Sequence, residues 1–444
     1  MKSNVAILSG KFAGKVSRTL GNDATNIPGV IARKIAPDLL KTLANQIEHL
    51  ILITGTNGKT TTSNILASIL RAAGKSVFNN EEGANLITGI TACFVKHAKI
   101  SGTLSYKYAV IEVDEAALSQ VAKQVQPEMM VCTNFFRDQL DRFGEIDTLI
   151  NTVRKAIIPL HTKLVLNGDD PLVMRLNKLE KKTVFFGMNK NVKGFQLHGV
   201  SESKFCPDCG NELHYEAIYY GQLGYYSCSC GFKRPIPTYE IDSLHLGHAP
   251  SFSINNFTFH IPISGIHNVY NALAAIACAK ELGIENTDIE KGLLAYEASN
   301  GRMQSFEYKG VPYILNLVKN PAGMNITLAQ LLMDYEDKQI AIILNDLKYD
   351  GTDISWIWDA DLEQLNREDI KKVICGGTRA HDLALRIKYA GIDTNKIVIL
   401  TSYDEVVDYC IQHSMKTFLL PNYTALTPIR KKLVSKMIQK SKGA

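Results

Sequence analysis

The chain has 444 residues, 45% hydrophobic and 21% charged, with 31 glycines, 14 prolines and a formal net charge of +5. That length is about three times the ~150 residues of one domain, so more than one core is expected, and the ordinary composition excludes disordered, collagenous and low-complexity classes. The mild positive charge is too dilute for nucleic-acid binding, and no apolar run approaches the ~20 residues that span a bilayer.

Residues 1–45 read as a helical N-terminal segment. Lys2, Lys11, Lys15 and Arg18 precede the first acid, Asp23, but Ser9, Gly10 and Lys11 interrupt the apolar stretch, so a cleaved secretion signal is not expected. With no such signal, the nine cysteines read as thiols of a reducing cytoplasm rather than a disulfide framework.

From 46 to about 300, short apolar runs alternate with helical patterns. Residues 49–54 (HLILIT) read as a buried strand, and 61–73 as an amphipathic helix closed by Gly74. Further strands are expected at 108–113, 129–134 and 163–168, which together argue for a parallel, helix-covered sheet. Residues 195–262 break the rhythm with clustered Cys, Tyr and Gly and read as a β-rich insertion, after which a helix is expected over 268–282. A second alternating series starts after Gly301, with strands in PYILNLV, QIAIILN, KKVICGG, KIVIL and TFLLP and helices over 354–365, 379–389 and 403–413. Residues 301–444 are therefore a second α/β domain, ending in a solvated Lys-rich helix over 430–442.

Ile53-Thr54-Gly55-Thr56-Asn57-Gly58-Lys59-Thr60-Thr61 follows the first strand and opens a helix, the context of a phosphate cradle. Gly55 and Gly58 would let backbone amides face phosphates, Lys59 would bring a charge to the β/γ-phosphates from a solvated loop, and the hydroxyl of Thr60 or Thr61 could take Mg²⁺. The strict GxxxxGK[ST] spacing fails. In the insertion, Cys206-Pro207-Asp208-Cys209-Gly210 and Cys228-Ser229-Cys230-Gly231 are separated by 18 Tyr-rich residues. Paired thiols followed by Gly suit a four-thiolate Zn²⁺ site, a zinc ribbon at about 200–237 of structural role. The remaining cysteines, Cys93, Cys132, Cys278, Cys375 and Cys410, lie in apolar segments and read as core.

The form GTNGKTT resembles the loop of Mur ligases and folylpolyglutamate synthases. The likeness continues through Ile111-Glu112-Val113-Asp114-Glu115, Thr133-Asn134, the segment from Arg137 to Gly144, Asn167-Gly168-Asp169-Asp170-Pro171, Gly265-Ile266-His267-Asn268-Val269-Tyr270-Asn271 and Gly301-Arg302. The resemblance implies ATP and Mg²⁺ as cofactors, held by Gly55, Thr56, Asn57, Gly58, Lys59, Thr60 and Thr61. It further implies Glu112 with Thr60 on the metal, Asn271 near the adenine and Arg302 at the phosphates, in a P-loop ATPase domain followed by a Rossmann-like one. Three departures stand out. Gln139 replaces a histidine, which puts a second metal position in doubt, Gln304 replaces an acid, and Val318-Lys319-Asn320-Pro321 stands where amino-acid-adding relatives carry AHNP-like stretches. Only about 50 residues precede the loop, too few for a nucleotide-sugar domain.

With the ribbon and Asp350-Gly351-Thr352-Asp353-Ile354-Ser355, the whole chain is similar to the synthetase subunits of glutamine-hydrolysing lipid II isoglutaminyl synthases. That likeness implies ATP-dependent amidation of the α-carboxyl of D-Glu in the stem peptide of a lipid-linked peptidoglycan precursor, through an acyl phosphate. It implies a GatD-like class I glutaminase as the partner in a heterodimer, with Asp353 lent to that partner's catalytic histidine. The expected location is cytoplasmic, with peripheral attachment at the inner face of the membrane left open. Two rivals are a stand-alone folylpolyglutamate-synthase-like ligase and a non-catalytic, ATP-regulated zinc-ribbon adaptor.

Overall fold

The computed structural model of the chain describes residues 2–19, 25–81, 83–136, 146–192, 203–247, 249–297, 301, 303–333, 335–347 and 349–441. The described residues fall into two compact units, one ending at Glu297 and the other starting at Gly301. No helix among them is long and apolar enough to cross a membrane.

The first unit opens with three helices, α1 (Lys2–Thr19), α2 (Ile27–Ile35) and α3 (Leu39–Ala44). Close approach of α2 to its neighbours depends on glycine: a Cβ on Gly10 of α1 would lie 2.9 Å from Pro28 O, and one on Gly29 only 1.8 Å from the carbonyl of Thr88, in the helix Ile87–His97. Then β1 (His49–Thr54) leads into α4 (Lys59–Ala72), which starts two residues before its hydrophobic pattern does and ends before Gly74 at φ +70. The series continues with β2 (Val77–Asn79), α5 (Ile87–His97), β3 (Tyr108–Glu112), α6 (Leu118–Ala122), β4 (Met129–Cys132), α7 (Ile146–Ile157), β5 (Lys163–Asn167) and β6 (Thr183–Met188). Among the described residues these strands, with β9 (Tyr239–Ile241), make a seven-stranded sheet in the order β2-β3-β1-β4-β5-β6-β9, all pairs parallel. Strands covered on both faces read as unbroken apolar runs, and Leu50–Ile53 are accordingly buried.

The insertion is less separate than its composition suggests. It contains the hairpin β7 (His214–Tyr220) and β8 (Leu223–Ser227), a two-stranded sheet, and a three-stranded sheet of β10 (Ser243–His245), β11 (Ser251–Ile254) and β12 (Phe257–His260), but β9 returns to pair with β6. Two helices, α8 (Ile266–Glu281) and α9 (Asn286–Leu294), complete the unit.

Among its described residues the second unit has six strands, β13 (Gln304–Tyr308), β14 (Val311–Leu315), β15 (Lys338–Ile343), β16 (Ile370–Gly376), β17 (Ile397–Leu400) and β18 (Lys416–Pro421), in the order β13-β14-β18-β15-β16-β17. Only the β13–β14 hairpin is antiparallel, and β13 has no counterpart in the expected series. On β15, Ile340 and Ile342 pack into one core while Ala341 and Ile343 pack into the other, so the sheet is buried on both faces. Two expected helices are corrected. Over 354–365 there are two 3₁₀ turns, Ser355–Trp358 and Leu362–Leu365, because tertiary partners take the backbone groups a helix would use. Arg386 Nε donates to Ile357 O (3.1 Å), its Nη2 donates to Ala360 O (2.9 Å), and the Asp361 amide donates to Asn325 Oδ1 (2.8 Å). The last helix spans Tyr423–Ser441 and is not merely solvated, since Ile429 and Leu433 are fully buried.

Candidate nucleotide site and cysteine cluster

Residues 55–58 carry the chain from β1 into α4. Gly55 (φ +122) and Gly58 (φ +84) are in left-handed backbone conformations, and a Cβ would stand 2.3 Å from Thr133 Oγ1 at the first and 2.0 Å from Asn271 Oδ1 at the second. Both positions exclude a side chain. The loop does not present all its amides outward. The Thr56 amide donates to Asn134 O (2.9 Å), the Asn57 amide to Asn134 Oδ1 (2.9 Å), and the Thr56 hydroxyl donates to Phe136 O while accepting the Phe136 amide. Thr56 and Asn57 thus fasten the loop to the chain beyond β4. The amides left without an i−4 carbonyl are those opening α4, at Gly58, Lys59, Thr60 and Thr61, where the helix dipole is positive. Asn271, on α8, sits against this turn, accepting from the Thr62 hydroxyl at 3.4 Å and donating to Asn268 Oδ1 at 3.3 Å.

Lys59 is not in a solvated loop. It is the first residue of α4 and only 7% exposed, with Nζ donating to Gly55 O (2.5 Å), Thr56 O (3.2 Å) and both oxygens of Glu115 (3.2 Å each). Glu115 is itself 3% exposed, so the ion pair is buried. The strand end that could have been a solvated acidic run is buried at Glu112, Asp114 and Glu115 alike.

Glu112 is held on every side but one. Its amide donates to Asn80 Oδ1 (2.9 Å), its carbonyl accepts from Asn80 Nδ2 (2.9 Å), and Oε1 accepts from Asn85 Nδ2 (2.7 Å). Buried Oε2 has no hydrogen-bond partner among the described residues. A buried carboxylate oxygen without a partner is costly unless something cationic meets it. Gly83 shows where: a Cβ there would lie 3.3 Å from Thr60 Oγ1 and 3.8 Å from Glu112 Oε2, so the hydroxyl and the carboxylate face one small space. A hydroxyl and a carboxylate oxygen are the hard donors that Mg²⁺ takes. Asn80 and Asn85 were not singled out in the sequence, because lone asparagines carry no motif.

Arg302, and Gln139 with the rest of residues 137–145, lie outside the described residues. In the second unit, Gln304 takes a structural role, its Oε1 accepting from the Gly301 amide (3.2 Å) and from Arg430 Nε (3.0 Å). Asn320 caps the helix Pro321–Leu331, its Oδ1 accepting the Gly323 amide at 2.8 Å. Asp353 accepts the Ser355 amide at 2.8 Å, and hydrogen bonding to Ser355 holds its carboxyl below the usual range. It caps a 3₁₀ turn rather than an α-helix and remains partly exposed. Neighbouring Asp350 is buried and binds the amide and hydroxyl of Thr424.

Cys206, Cys209, Cys228 and Cys230 converge, their four Sγ atoms all lying within 4.8 Å of one another. The Cys206–Cys230 and Cys209–Cys228 separations are 3.7 and 3.5 Å. Those lengths are far beyond a disulfide bond and close to the ~3.8 Å edge of a thiolate tetrahedron built on Zn–S bonds of about 2.3 Å. A backbone N–H at Cys230 pulls the Cys228 thiol down, while its neighbours push the Cys209 thiol up, so the cluster titrates as one group. Cys93, Cys132, Cys278, Cys375 and Cys410 are buried and scattered.

Asp169 ties this cluster to the sheet. Fully buried, it accepts from Arg234 Nε (2.6 Å), Tyr270 OH (2.7 Å) and the Met188 amide (2.8 Å). Burial pushes its carboxyl up, against the pull of the Arg234 guanidinium. Burial likewise pushes neighbouring Asp170 up to about 7. The Asp-Asp-Pro turn is therefore a bracket, and only its match to a family motif marked it in the sequence.

Residues 53–279 match the family described as Mur ligase middle domain, and residues 317–426 match MurT ligase C-terminal. The chain is 42% identical to the lipid II isoglutaminyl synthase (glutamine-hydrolyzing) subunit MurT of Staphylococcus aureus strain COL, over 98% of each chain. It is 36% identical to the subunit of the same name in Streptococcus pneumoniae strain ATCC BAA-255 / R6, over 99% of this chain and 98% of that one. Among solved structures, a pseudomurein peptide ligase type C from Methanothermus fervidus superposes with a TM-score of 0.68 at 25% identity, covering 88% of this chain and 79% of that one. The loop at Gly58, the partnerless carboxylate oxygen of Glu112 and a likeness running the full length of both chains agree: this chain belongs to the Mur ligase family, and within it to the MurT subunits.

Proposed function

We propose that this chain is the synthetase subunit that amidates the α-carboxyl of D-Glu in the stem peptide of lipid II, giving D-isoglutamine, with ammonia supplied by a GatD-like class I glutaminase in a heterodimer. The observation that carries the reading is the convergence of Thr60 Oγ1 and Glu112 Oε2 on one space at the start of α4, in a chain 42% identical over its length to a MurT subunit.

A carboxylate resists attack by ammonia because it is anionic and its oxygen leaves poorly. Transfer of the γ-phosphoryl of ATP to that oxygen makes an acyl phosphate, ammonia attacks the carbonyl carbon, and phosphate leaves as the amide forms. In this chain, the amides of Gly58 to Thr61 and the Lys59 ammonium stand where phosphate charge accumulates. Glu112 and Thr60 would hold Mg²⁺, which would supply positive charge against the phosphates. Asn80 on the Glu112 backbone and Asn85 on Oε1 hold that carboxylate in place ahead of transfer. The test is to incubate the purified complex with lipid II, ATP and glutamine and to analyse the product by mass spectrometry. Exchange of the D-Glu α-carboxyl for a carboxamide, dependent on both ATP and glutamine, supports the proposal, and addition of an amino acid, or no product at all, sinks it.

The cysteine cluster is read as a zinc ribbon that stabilises the insertion. One Zn²⁺ per chain is expected by elemental analysis of protein purified without chelator. Cys206 packs with Met174, Leu213 and Tyr226, so Cys206→Ser should lower the melting temperature clearly while leaving the KM for ATP within twofold. Absence of zinc, or an unchanged melt, would remove the ribbon.

Asp353 is proposed as the carboxylate lent to the glutaminase histidine, fixing its tautomer and stabilising the imidazolium as the thiol ionises. Its partial exposure, in a stretch of chain that also exposes Tyr349 and Trp358, suits a docking face. Asp353→Asn keeps an oxygen for the Ser355 amide but loses the charge. Glutamine hydrolysis by the assembled variant complex should fall at least tenfold with its melt unchanged, whereas wild-type hydrolysis would leave Asp353 as a cap. A cytoplasmic location is part of this reading, with peripheral attachment at the inner face of the membrane left open.

A further inference from the structure

A cavity of about 310 Å³ opens in the first unit between α1, α2, α5 and the chain that follows β2. Its wall carries four cations, Lys11, Lys15 and Arg18 from α1 and Lys96 from α5. Among the described residues the one acid lining it, Glu81, is engaged by Arg71 at 2.8 Å, and α1 has no acid at all. Lys11 Nζ donates to Lys96 O (3.0 Å), which fixes one of the cations at the edge of α5. The helix packing that brings these charges together is built in by Gly10, Gly14 and Gly29, where added Cβ atoms would meet α2 or α5 at 2.9, 3.1 and 1.8 Å.

The inner wall adjoins the phosphoryl-transfer site. Asn80 lines the cavity and clamps the backbone of Glu112, while Gly83, three residues on, faces Glu112 Oε2 and Thr60 Oγ1. The outer side of α1 is apolar. Val5, Leu8, Phe12 and Val16 are exposed at 53, 52, 68 and 41% and recur at helical spacing, about a third of a turn round from the lysines. A cationic cavity beside an exposed apolar stripe suits a molecule with phosphate oxygens attached to a hydrocarbon chain.

We propose that this cavity is the subsite for the diphosphate that links the polyprenyl chain to the sugar of the acceptor, with Lys15 and Arg18 as its principal phosphate ligands. The proposal rests on the amidation reading given above, and it assigns the part of the acceptor that the phosphoryl-transfer site does not touch. The stem peptide would then run from the cavity past Asn80 to the space between Thr60 and Glu112.

The full chain, with its nucleotide site saturated by ADP and Mg²⁺, is titrated with geranyl diphosphate by calorimetry. Geraniol and phosphatidylglycerol vesicles serve as the uncharged and single-phosphate comparisons. Saturable binding of geranyl diphosphate is expected, weakened at least tenfold in Lys15→Ala/Arg18→Ala and largely restored in Lys15→Arg/Arg18→Lys. With the assembled complex, the alanine pair should raise the KM for lipid II at least tenfold with the KM for ATP as internal reference. Unchanged affinity in the alanine pair, equal binding of geraniol, or binding to phosphatidylglycerol vesicles without binding of geranyl diphosphate overturns the subsite. If the wild-type complex amidates nothing yet binds geranyl diphosphate through Lys15 and Arg18, the amidation reading fails and the subsite stands.

Discussion

Replacing Lys59 with alanine is expected to lower ATP-dependent amidation by about 100-fold or more and, in the same variant, to cost about 3 kcal/mol of stability. The first effect follows from removing the one side-chain cation at the start of α4, where charge builds during phosphoryl transfer. The second follows from burial. Lys59 and Glu115 are 7% and 3% exposed, and alanine leaves the carboxylate of Glu115 without its ammonium. The two effects separate in a double variant. Lys59→Ala/Glu115→Gln replaces the stranded charge by a neutral amide and should recover most of the stability, yet it restores no cation and should stay as slow as the single variant. Denaturant melts and steady-state rates on the same preparations check both. A Lys59→Ala enzyme with wild-type rate at saturating ATP would remove this lysine from the chemistry. A slow enzyme that regains its rate in the double variant would show that Glu115, not the phosphate, is its working partner.

How far the sequence revealed this site depended on how local each contact is. The turn at Gly55 and Gly58 was legible because strand, glycines and helix start are consecutive, and the strands were legible because a doubly covered parallel strand is a continuous apolar run. What the loop does with its amides was not, since Thr56 and Asn57 bond to Asn134, 77 residues beyond Asn57. Lys59 reads as a solvated loop residue until Glu115, 56 positions on, is brought under it by the pairing of β1 with β3. The helix expected over 354–365 shows the same limit. Ile357, Leu362 and Leu365 are buried at the helical spacing that suggested it, but spacing reports which side chains face the core, not which groups the backbone bonds to. Arg386 and Asn325 took those bonds instead, a tertiary override that no window of 12 residues contains. β9 is three residues long, too short for any periodicity to mark.

The cysteine cluster was legible from spacing, but its attachment to the sheet was not, and the attachment gives the other large expected effect. Arg234→Ala should cost about 3–5 kcal/mol at neutral pH, because it strands a buried carboxylate. The side chains of Arg234 and Asp169 are 3% and 0% exposed, and Gly187 leaves room for them: a Cβ there would lie 2.4 Å from Asp169 Oδ1 and 2.8 Å from Arg234 Nη2. Arg234 also donates to Met188 O (2.6 Å) and Glu240 Oε1 (3.1 Å), so it joins the chain after the cysteines to both β6 and β9. In the variant, Tyr270 and the Met188 amide still donate to Asp169, but no cation is left to oppose desolvation, which already pushes that carboxyl up. Its folded-state pKa then rises further above the unfolded value near 3.9. A carboxyl raised on folding binds more protons in the native state than in the unfolded one, so stability falls as pH rises between the two pKa values. The loss should therefore be smaller at about pH 5, closer to the unfolded value, than at about pH 8. Adding Asp169→Asn should recover most of the loss at the higher pH and flatten the dependence. Denaturant melts of the single and double variants at both pH values check this, and a pH-independent loss would mean that the contacts to Met188 and Glu240, rather than the buried charge, hold the ribbon to the sheet.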